Sequence, residues 1–221
     1  MRVESRHGFS TWVIRALTAF GVACLTYYAL SMVDTWRYQR DAKIRVEEMV
    51  TMDRPPELER TPSDVDRTPP ARARRLRTGE LIGRVDIPRL KLSAAVAEGD
   101  DKKTLSRAVG HLPDTPLPWQ RRGNVALAAH RDGLFRPLER IRLNDELRIT
   151  TPHGDYHYRV RTTQIVDPDD VWVLAPTPTP TITLITCYPF SFVGRAPRRF
   201  IVQAEMVGHL AGSPLTGSVV Q

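Results

Sequence analysis

The run Thr181-Ile-Thr-Leu-Ile-Thr-Cys187 consists of β-branched residues and one leucine, and it ends in a cysteine. These residue types favour a β-strand. The other cysteine of the 221-residue chain, Cys24, lies in an apolar segment near the N-terminus, so the two thiols are not expected to pair. Outside the membrane, unpaired thiols tend to be oxidised or captured, and a retained one suggests that its reactivity is used. A half-buried structural thiol is the alternative.

Similar short apolar runs recur through the body of the chain, and turn signals such as Asp132-Gly133 and His153-Gly154-Asp155 separate them. The predicted strands cover residues 81–87, 94–97, 124–130, 146–150, 156–166, 181–187 and 199–207. One short helix is predicted near residues 103–108. Seven or eight strands with so little helix predict an all-β body, either a sandwich or a closed barrel.

Length and composition indicate one domain with appendages, because 221 residues with 41% hydrophobic residues bury one sizeable core. The predicted segments are an N-terminus at 1–11, an apolar segment at 12–33, a stalk and linker at 34–79, the body at 80–207 and a tail at 208–221.

The apolar segment contains eighteen successive residues without a charge, from Ala16 to Val33. That length spans a bilayer. Because Arg2, Arg6 and Arg15 precede it, the positive-inside rule predicts a cytoplasmic N-terminus and places the body across the membrane. We predict an uncleaved single-pass anchor; a cleaved signal peptide is the alternative, but the apolar run is longer than a usual signal core and no clear cleavage site follows it.

The segment between the anchor and the body changes character at about residue 50. Residues 34–50 are charged with scattered apolar positions and predict a helix that continues the anchor, as a solvated stalk or as a partner-binding surface. Residues 51–79 contain five prolines and seven arginines without apolar periodicity, which predicts a semi-extended linker. This arrangement keeps the body near the membrane.

The formal net charge of +7 raises the question of nucleic acid as a partner. The arginines are spread along the chain and cluster only at Arg72, Arg74, Arg75 and Arg77, and the chain carries no nucleic-acid fold signature. We therefore predict no nucleic-acid partner. A basic cluster on a tethered linker suits an anionic lipid or envelope polymer, or simple solvation of the linker.

Two further residue types are expected beside the thiol. Residues 124–130 form an apolar strand that ends in His130, and a neighbouring imidazolium favours the thiolate of a cysteine, whose ordinary pKa of about 8.5 leaves it mostly neutral. If the strands ending in Cys187 and beginning at residue 199 pair antiparallel, a guanidinium lies beside the thiol. Strand alternation allows only Arg198 or Arg199 in that place, and parity alone does not decide between them.

Other histidines compete for the role of His130, namely His111, His153, His157 and His209. None of these four ends such a regular apolar strand. No group of His, Cys, Asp and Glu has a convincing metal-ligand spacing.

Thr183-Leu-Ile-Thr-Cys187 resembles the sortase signature Thr-Leu-x-Thr-Cys. Further motifs in the same order and spacing resemble a class D sortase: Gly110-His-Leu-Pro, Ala129-His-Arg-Asp, Phe135-Arg-Pro-Leu, Tyr188-Pro-Phe, and Ala196-Pro-Arg-Arg-Phe-Ile-Val202. The resemblance covers residues 80–207. One departure is His130-Arg-Asp-Gly133, which has glycine where the family commonly has threonine.

This resemblance implies an eight-stranded sortase-type β-barrel with an N-terminal membrane anchor facing outward. It further implies a cysteine transpeptidase that cleaves a sorting motif similar to Leu-Pro-x-Thr-Gly in protein substrates and transfers the acyl group to an amine on the cell envelope or a pilin. Its nucleophile falls on Cys187, its histidine on His130 and its arginine on Arg199. No metal or organic cofactor is needed.

The substrate groove is expected to be lined by Thr183, Thr186 and Tyr188, with ordinary strand packing as the alternative. Two rival functions are a different cysteine transpeptidase or hydrolytic peptidase, and a non-enzymatic, membrane-tethered assembly partner. The Ser-x-Gly-Cys signature of L,D-transpeptidases is absent around Cys187. The presence of all three candidate reactive residues argues against a non-enzymatic role.

Overall fold

The computed structural model describes residues 6–52, 76–192 and 194–210 and shows a closed eight-stranded β-barrel preceded by a long helix. The strands are β1 (Leu81–Ile87), β2 (Leu92–Glu98), β3 (Val109–His111), β4 (Asn124–Ala128), β5 (Glu146–Thr151), β6 (Gly154–Val166), β7 (Thr181–Tyr188) and β8 (Arg198–Leu210). The α-helices are α1 (Arg6–Met52) and α2 (Lys102–Leu105), and short 3-10 helices occupy Pro88–Leu90, Pro118–Gln120, Arg136–Arg140 and Val171–Leu174.

Neighbouring strands follow the order β1-β2-β3-β4-β7-β8-β6-β5, and β5 closes the barrel by pairing with β1. Two neighbouring pairs, β2 with β3 and β4 with β7, are parallel. The remaining pairs are antiparallel. This architecture confirms the all-β prediction and decides between its two forms in favour of the barrel.

One apolar cluster fills the barrel interior. Every strand contributes alternate side chains to it, and the short strand β3 contributes only Val109. Its fully buried members include Val85, Leu127, Ile149 and Leu184. A smaller cluster lies on the outer surface, where Ile201 of β8 packs with Val166 and Val173. The outer face near β7 is therefore covered by the chain that connects β6 to β7.

Some predicted boundaries were wrong. The strand β3 was missed because its three residues, Val109-Gly-His111, are too few to show a period. Its Gly110 permits a close approach, since a Cβ there would lie 2.3 Å from the carbonyl oxygen of Gly99. The strand β4 ends at Ala128, two residues before His130, whereas β8 continues to Leu210 into the predicted tail. The short helix covers Lys102–Leu105, whereas residues 103–108 were predicted. Asp101 caps its N-terminus by accepting hydrogen bonds from the amides of Lys103 and Thr104.

The helix α1 runs without a break for 47 residues. Its apolar part is long enough to cross a membrane, with an 18-residue window of mean hydropathy 1.6 that is not buried in the protein. A helix of this length extends about 70 Å at 1.5 Å per residue. None of the apolar window is buried against the barrel.

The outer part of α1 packs on the barrel, which corrects the prediction of a solvated stalk. Ala42 and Val46 are buried, and Gln39, one turn earlier on the same face, bonds to two backbone groups. The Gln39 side chain accepts from the Ala95 amide at 2.8 Å and donates to the Arg107 carbonyl at 2.6 Å. The sequence did not reveal this face because Val46 is its one larger apolar residue, beside the small Ala42 and the polar Gln39. Residues 53–75 of the linker predicted at 51–79, and residues 211–221 of the predicted tail, lie outside the described residues.

Candidate active site

Cys187 and Arg199 are direct cross-strand partners in the antiparallel pair β7–β8. Directly opposed residues have Cβ atoms about 4.5–5.5 Å apart and project from the same face of the sheet. Arg198 is instead the partner of Tyr188, and its side chain points toward Asp167 at 3.9 Å. The register therefore places Arg199, and not Arg198, beside the thiol.

The guanidinium of Arg199 donates only to backbone carbonyls close in sequence, those of Ala196 at 3.4 Å and Arg198 at 3.1 Å. Among the described residues, no carboxylate forms an ion pair with it. This side chain thus offers positive charge and unused donors next to Cys187.

His130 lies on the other side of Cys187. The parallel pair β4–β7 ends with Ala128 opposite Ile185, and two further residues lead on each chain to His130 and Cys187. The alignment continues past the last pair, because the Ala129 amide donates to the Ile185 carbonyl at 3.2 Å and the Thr186 hydroxyl donates to the Ala129 carbonyl at 2.8 Å. Since adjacent strands lie about 4.8 Å apart, the register brings His130 to the level of Cys187.

The strands β4, β7 and β8 therefore place the three candidate residues at one end of the barrel and on its outer face. Two residues further along the strands, Ile185 and Ile201 form the next cross-strand pair on this face and belong to the outer apolar cluster. His130 is exposed and Cys187 is half-buried. A carbonyl group approaching along this face meets the thiol with an imidazole on one side and a guanidinium on the other.

The other histidines lie elsewhere. His111 is buried, with its Nδ1 at 2.7 Å from Glu98. His209 is opposite Tyr156, ten positions from Arg199 along β8, which corresponds to roughly 33 Å of strand. His153 and His157 belong to that distant end as well, in the β5–β6 turn and in β6. None of these four reaches the level of Cys187.

Two of the predicted groove residues are buried. Thr183 is 0% exposed and donates its hydroxyl hydrogen to Asn124 Oδ1 at 2.7 Å. Asn124 in turn donates to the carbonyl of Val173, which fastens the β6–β7 connection to the outer face. Thr186 is 2% exposed and its hydroxyl donates to the Ala129 carbonyl. These hydroxyls are engaged in positioning β4 and the β6–β7 connection and are not available to a substrate in this arrangement.

Tyr188 is half-buried and belongs to an aromatic group at the rim of the barrel. Its ring centroid lies 6.2 Å from that of Phe190 and 6.4 Å from that of Phe200, and those two rings are 5.4 Å apart. Among the three predicted groove residues, Tyr188 alone offers surface next to Cys187.

The β7–β8 loop, which connects Cys187 to Arg199, is held by two arginines for which the sequence predicted no role. Arg131 donates to the Phe192 carbonyl at 2.6 Å and to the Gly194 carbonyl at 3.0 Å, and it stacks on the Phe192 ring at 5.7 Å. Arg136 donates to the Phe190 carbonyl at 2.6 Å.

These bonds join alternate carbonyls of the loop to the segment that begins with His130. The segments carrying the histidine and the thiol are thereby held together. The sequence signals were the position of Arg131 inside the His130-Arg-Asp-Gly133 motif and that of Arg136 inside the Phe135-Arg-Pro-Leu motif.

The comparisons with known proteins agree with this geometry. The profile of the Sortase domain matches residues 85–207. Sortase D of Bacillus subtilis strain 168 is 29% identical over 192 residues, which cover 86% of this chain and 96% of that protein.

Solved structures of sortases share the fold. The structure of Sortase E1 from Streptomyces coelicolor with a tripeptide in its active site is 29% identical, has a TM-score of 0.57, and is matched over 95% of its chain and 62% of this one. A Sortase D5 transpeptidase from Clostridium perfringens has a TM-score of 0.60 and matches 99% of its chain and 78% of this one; at 23% identity it supports the fold alone.

Proposed function

The chain belongs to the sortase family of transpeptidases, and on that premise we propose that it is a membrane-anchored enzyme in which Cys187, His130 and Arg199 carry the reaction. It cleaves a Leu-Pro-x-Thr-Gly-like sorting motif in protein substrates and transfers the acyl group to an amine of the cell envelope or a pilin. The observation that carries this assignment is the register of β4, β7 and β8, which aligns the imidazole, the thiol and the guanidinium in that order. The apolar part of α1 supports the anchor, with the barrel outside the membrane.

In the first half-reaction the thiolate sulfur of Cys187 attacks the carbonyl carbon of the scissile peptide bond. The electron pair of the C=O bond moves to oxygen, and the Arg199 guanidinium donates hydrogen bonds to this developing oxyanion. When the tetrahedral intermediate collapses, the C–N bond breaks and His130 gives its proton to the departing amine. The acyl group remains on Cys187 as a thioester.

The second half-reaction reverses these roles with a different amine. The incoming amine attacks the thioester carbonyl, His130 takes its proton, and the C–S bond breaks to release the Cys187 thiolate. The net result exchanges one amide bond for another, so no redox partner or metal is required. Water in place of the amine gives hydrolysis. The clamp formed by Arg131 and Arg136 keeps the β7–β8 loop, and with it the thiol, in place through both steps.

A direct test uses the full chain in detergent, mixed with a library of Leu-Pro-x-Thr-Gly-like peptides and a panel of amines. Intact-protein mass spectrometry is expected to show an acyl adduct on Cys187, and peptide mass spectrometry is expected to show the same acyl group on one of the amines. A folded protein with a reduced thiol that forms no adduct with any peptide would favour the non-enzymatic assembly partner. An adduct that is released only to water would favour a hydrolytic peptidase.

The two neighbouring arginines supply a matched pair of variants. We expect Arg199→Ala to lower kcat/KM by about 10²–10³-fold, the usual loss when one oxyanion donor is removed. Arg198→Ala is expected to change it less than about threefold, because this exposed side chain faces Asp167 and exposed ion pairs contribute little. Steady-state transpeptidation with the identified peptide and amine measures both values. Equal losses for the two variants would contradict the assignment made from the register.

A further inference from the structure

A cavity of about 330 Å³ lies between α1 and the outer surface of β1 and β2. Its apolar walls come from Ala42 and Val46 of α1 and from Ala95 of β2. The Gln39 side chain spans its edge by bonding to the Ala95 amide. The volume falls within the range of about 300–1,000 Å³ typical of small-molecule sites. The cavity is far from the face that carries Cys187, because its strands β1 and β2 are separated from β7 by β3 and β4.

Three cationic side chains line this cavity, and two of them lack a carboxylate partner. Arg84 is neutralised, since it bonds to Asp86 at 3.0 Å and faces Glu47 at 3.7 Å. Arg40 and Lys43 form no ion pair with any described residue of the chain. The guanidinium of Arg40 lies over the ring of Trp36, with 5.5 Å to the ring centroid. The cavity thus has apolar walls and two positive charges that pair with no carboxylate in the part of the chain that the structure describes.

The position of Trp36 and Arg40 along α1 fits the headgroup layer of a bilayer. The apolar run ends at Val33, and Trp36 follows three residues later, which corresponds to about 4.5 Å of helix. Side chains of a helix lean toward its N-terminus, here toward the apolar run, and the stacking of Arg40 on Trp36 shows this lean directly. The Arg40 guanidinium is therefore at the level of Trp36, within a headgroup layer that is about 5–7 Å thick on each side.

We propose that this cavity binds the phosphate-containing headgroup of an anionic phospholipid. The phosphate lies beside Arg40 and Lys43, the acyl chains run back along α1 past Trp36 toward the apolar run, and the polar end of the headgroup extends into the cavity toward Ser93. Tryptophan and cationic side chains at the membrane surface are typical of such contacts. The bound lipid fixes the barrel on α1 at a set height above the bilayer. This proposal rests on the membrane anchoring included in the proposed function.

Charge complementarity favours this occupant over the alternatives. A zwitterionic headgroup carries its own cation and compensates Arg40 and Lys43 less well. A free inorganic anion satisfies the two charges but has no acyl chain to hold it at the membrane surface. An anionic phospholipid satisfies the cations while its chains stay in the bilayer, which supplies it at high local concentration.

The test uses the full chain reconstituted into vesicles of phosphatidylcholine with a minor fraction of phosphatidylglycerol. After gentle extraction, native mass spectrometry counts the lipids that remain bound to the protein. We expect retention of phosphatidylglycerol at least about tenfold above its share in the vesicle, given roughly 1 kcal/mol for each cation at the membrane surface. The double variant Arg40→Gln, Lys43→Gln is expected to lose this enrichment. Added inorganic phosphate in large excess is expected to leave it unchanged.

The matched control is Arg37→Gln, Arg45→Gln, which removes the same charge from the same helix outside the cavity. It is expected to keep the enrichment. Equal retention of the two lipids, equal loss in both double variants, or displacement by inorganic phosphate would each overturn the proposed site. A carbonate wash of the vesicles separates these failures from a failure of the anchor: protein extracted by carbonate refutes the anchoring itself, whereas protein that stays with the vesicles without enrichment refutes only the lipid site.

Discussion

Replacing Cys187 by alanine is expected to lower the rate of transpeptidation by about 10⁴-fold or more, with no detectable acyl-enzyme. The thiol supplies the atom to which the acyl group is transferred, and the structure offers no substitute at its level on β7: Thr186 is buried with its hydroxyl engaged, and the other free cysteine, Cys24, lies in the apolar part of α1. The measurement is single-turnover transfer of a labelled sorting peptide to an amine, followed by mass spectrometry. The fold is expected to persist, because Cys187 is only half-buried at the rim of the barrel.

The double variant sharpens this prediction. If Cys187 and His130 act as one unit, adding His130→Ala to Cys187→Ala produces little further loss, although His130→Ala alone is severe. His209→Ala serves as the control histidine, because it lies at the other end of β8, and it is expected to retain transfer. Multiplicative losses in the double variant, or a defect in His209→Ala as large as that in His130→Ala, would contradict the arrangement of the site.

Much of the barrel was predictable because most of its strands are long enough to show their composition and are separated by clear turn signals. The stretch at 181–187 is the clearest case, since it coincides with β7 except for one residue. The strand β3 was not predicted, because Val109-Gly-His111 forms through pairing with β2 and β4 and not through local strand preference. The packing of α1 on the barrel was not predicted for a related reason. It depends on Gln39 and on the small side chain of Ala42, which carry no strong hydrophobic signal.

The site shows the same division between local and long-range information. Cys187 and His130 could be selected from the sequence because each ends a predicted apolar strand. The choice between Arg198 and Arg199 required the register of β7 with β8, which no local pattern encodes. The hydroxyls of Thr183 and Thr186 were expected in the groove because of their position in the motif. Their burial follows from the β6–β7 connection and from β4, which cover them. The clamp by Arg131 and Arg136 was equally hidden, because its acceptors are backbone carbonyls more than fifty residues away.

His111, the histidine of the Gly110-His-Leu-Pro motif, has a structural role in the barrel, which its buried hydrogen-bond partners show. His111 is 1% exposed, its Nδ1 is 2.7 Å from Glu98 Oε2, and its Nε2 is 3.1 Å from the Pro116 carbonyl oxygen. A carbonyl oxygen only accepts, so Nε2 carries a hydrogen, and a second proton lies between Nδ1 and the Glu98 carboxyl group. The hydroxyl of Thr115 donates to the Leu112 carbonyl and therefore presents a lone pair to the same Nε2. Every polar atom of the ring is satisfied.

Removing the carboxyl group is expected to destabilise the barrel strongly. Glu98→Ala leaves the buried Nδ1 without a partner and opens a cavity, and the loss of one member of a buried pair costs about 3–5 kcal/mol of the free energy of unfolding. Glu98→Gln is the matched control, since its amide donates a hydrogen bond to an unprotonated Nδ1 while Nε2–H still donates to Pro116. We expect this variant to lose about 1 kcal/mol, the value of a typical hydrogen bond, and to keep its activity where it is folded.

Urea unfolding of the full chain in detergent, followed by tryptophan fluorescence, measures both free energies on the same scale. Because Trp119 and Trp172 belong to the barrel, the signal follows its unfolding and not that of α1 alone. A loss below about 1 kcal/mol for Glu98→Ala would show that the pair contributes little and that β2 and β3 are held by their backbone ladder. A loss of activity in folded Glu98→Gln would instead point to a role for His111 in catalysis. That result would contradict the proposed site, in which the buried His111 is structural and the exposed His130 is catalytic.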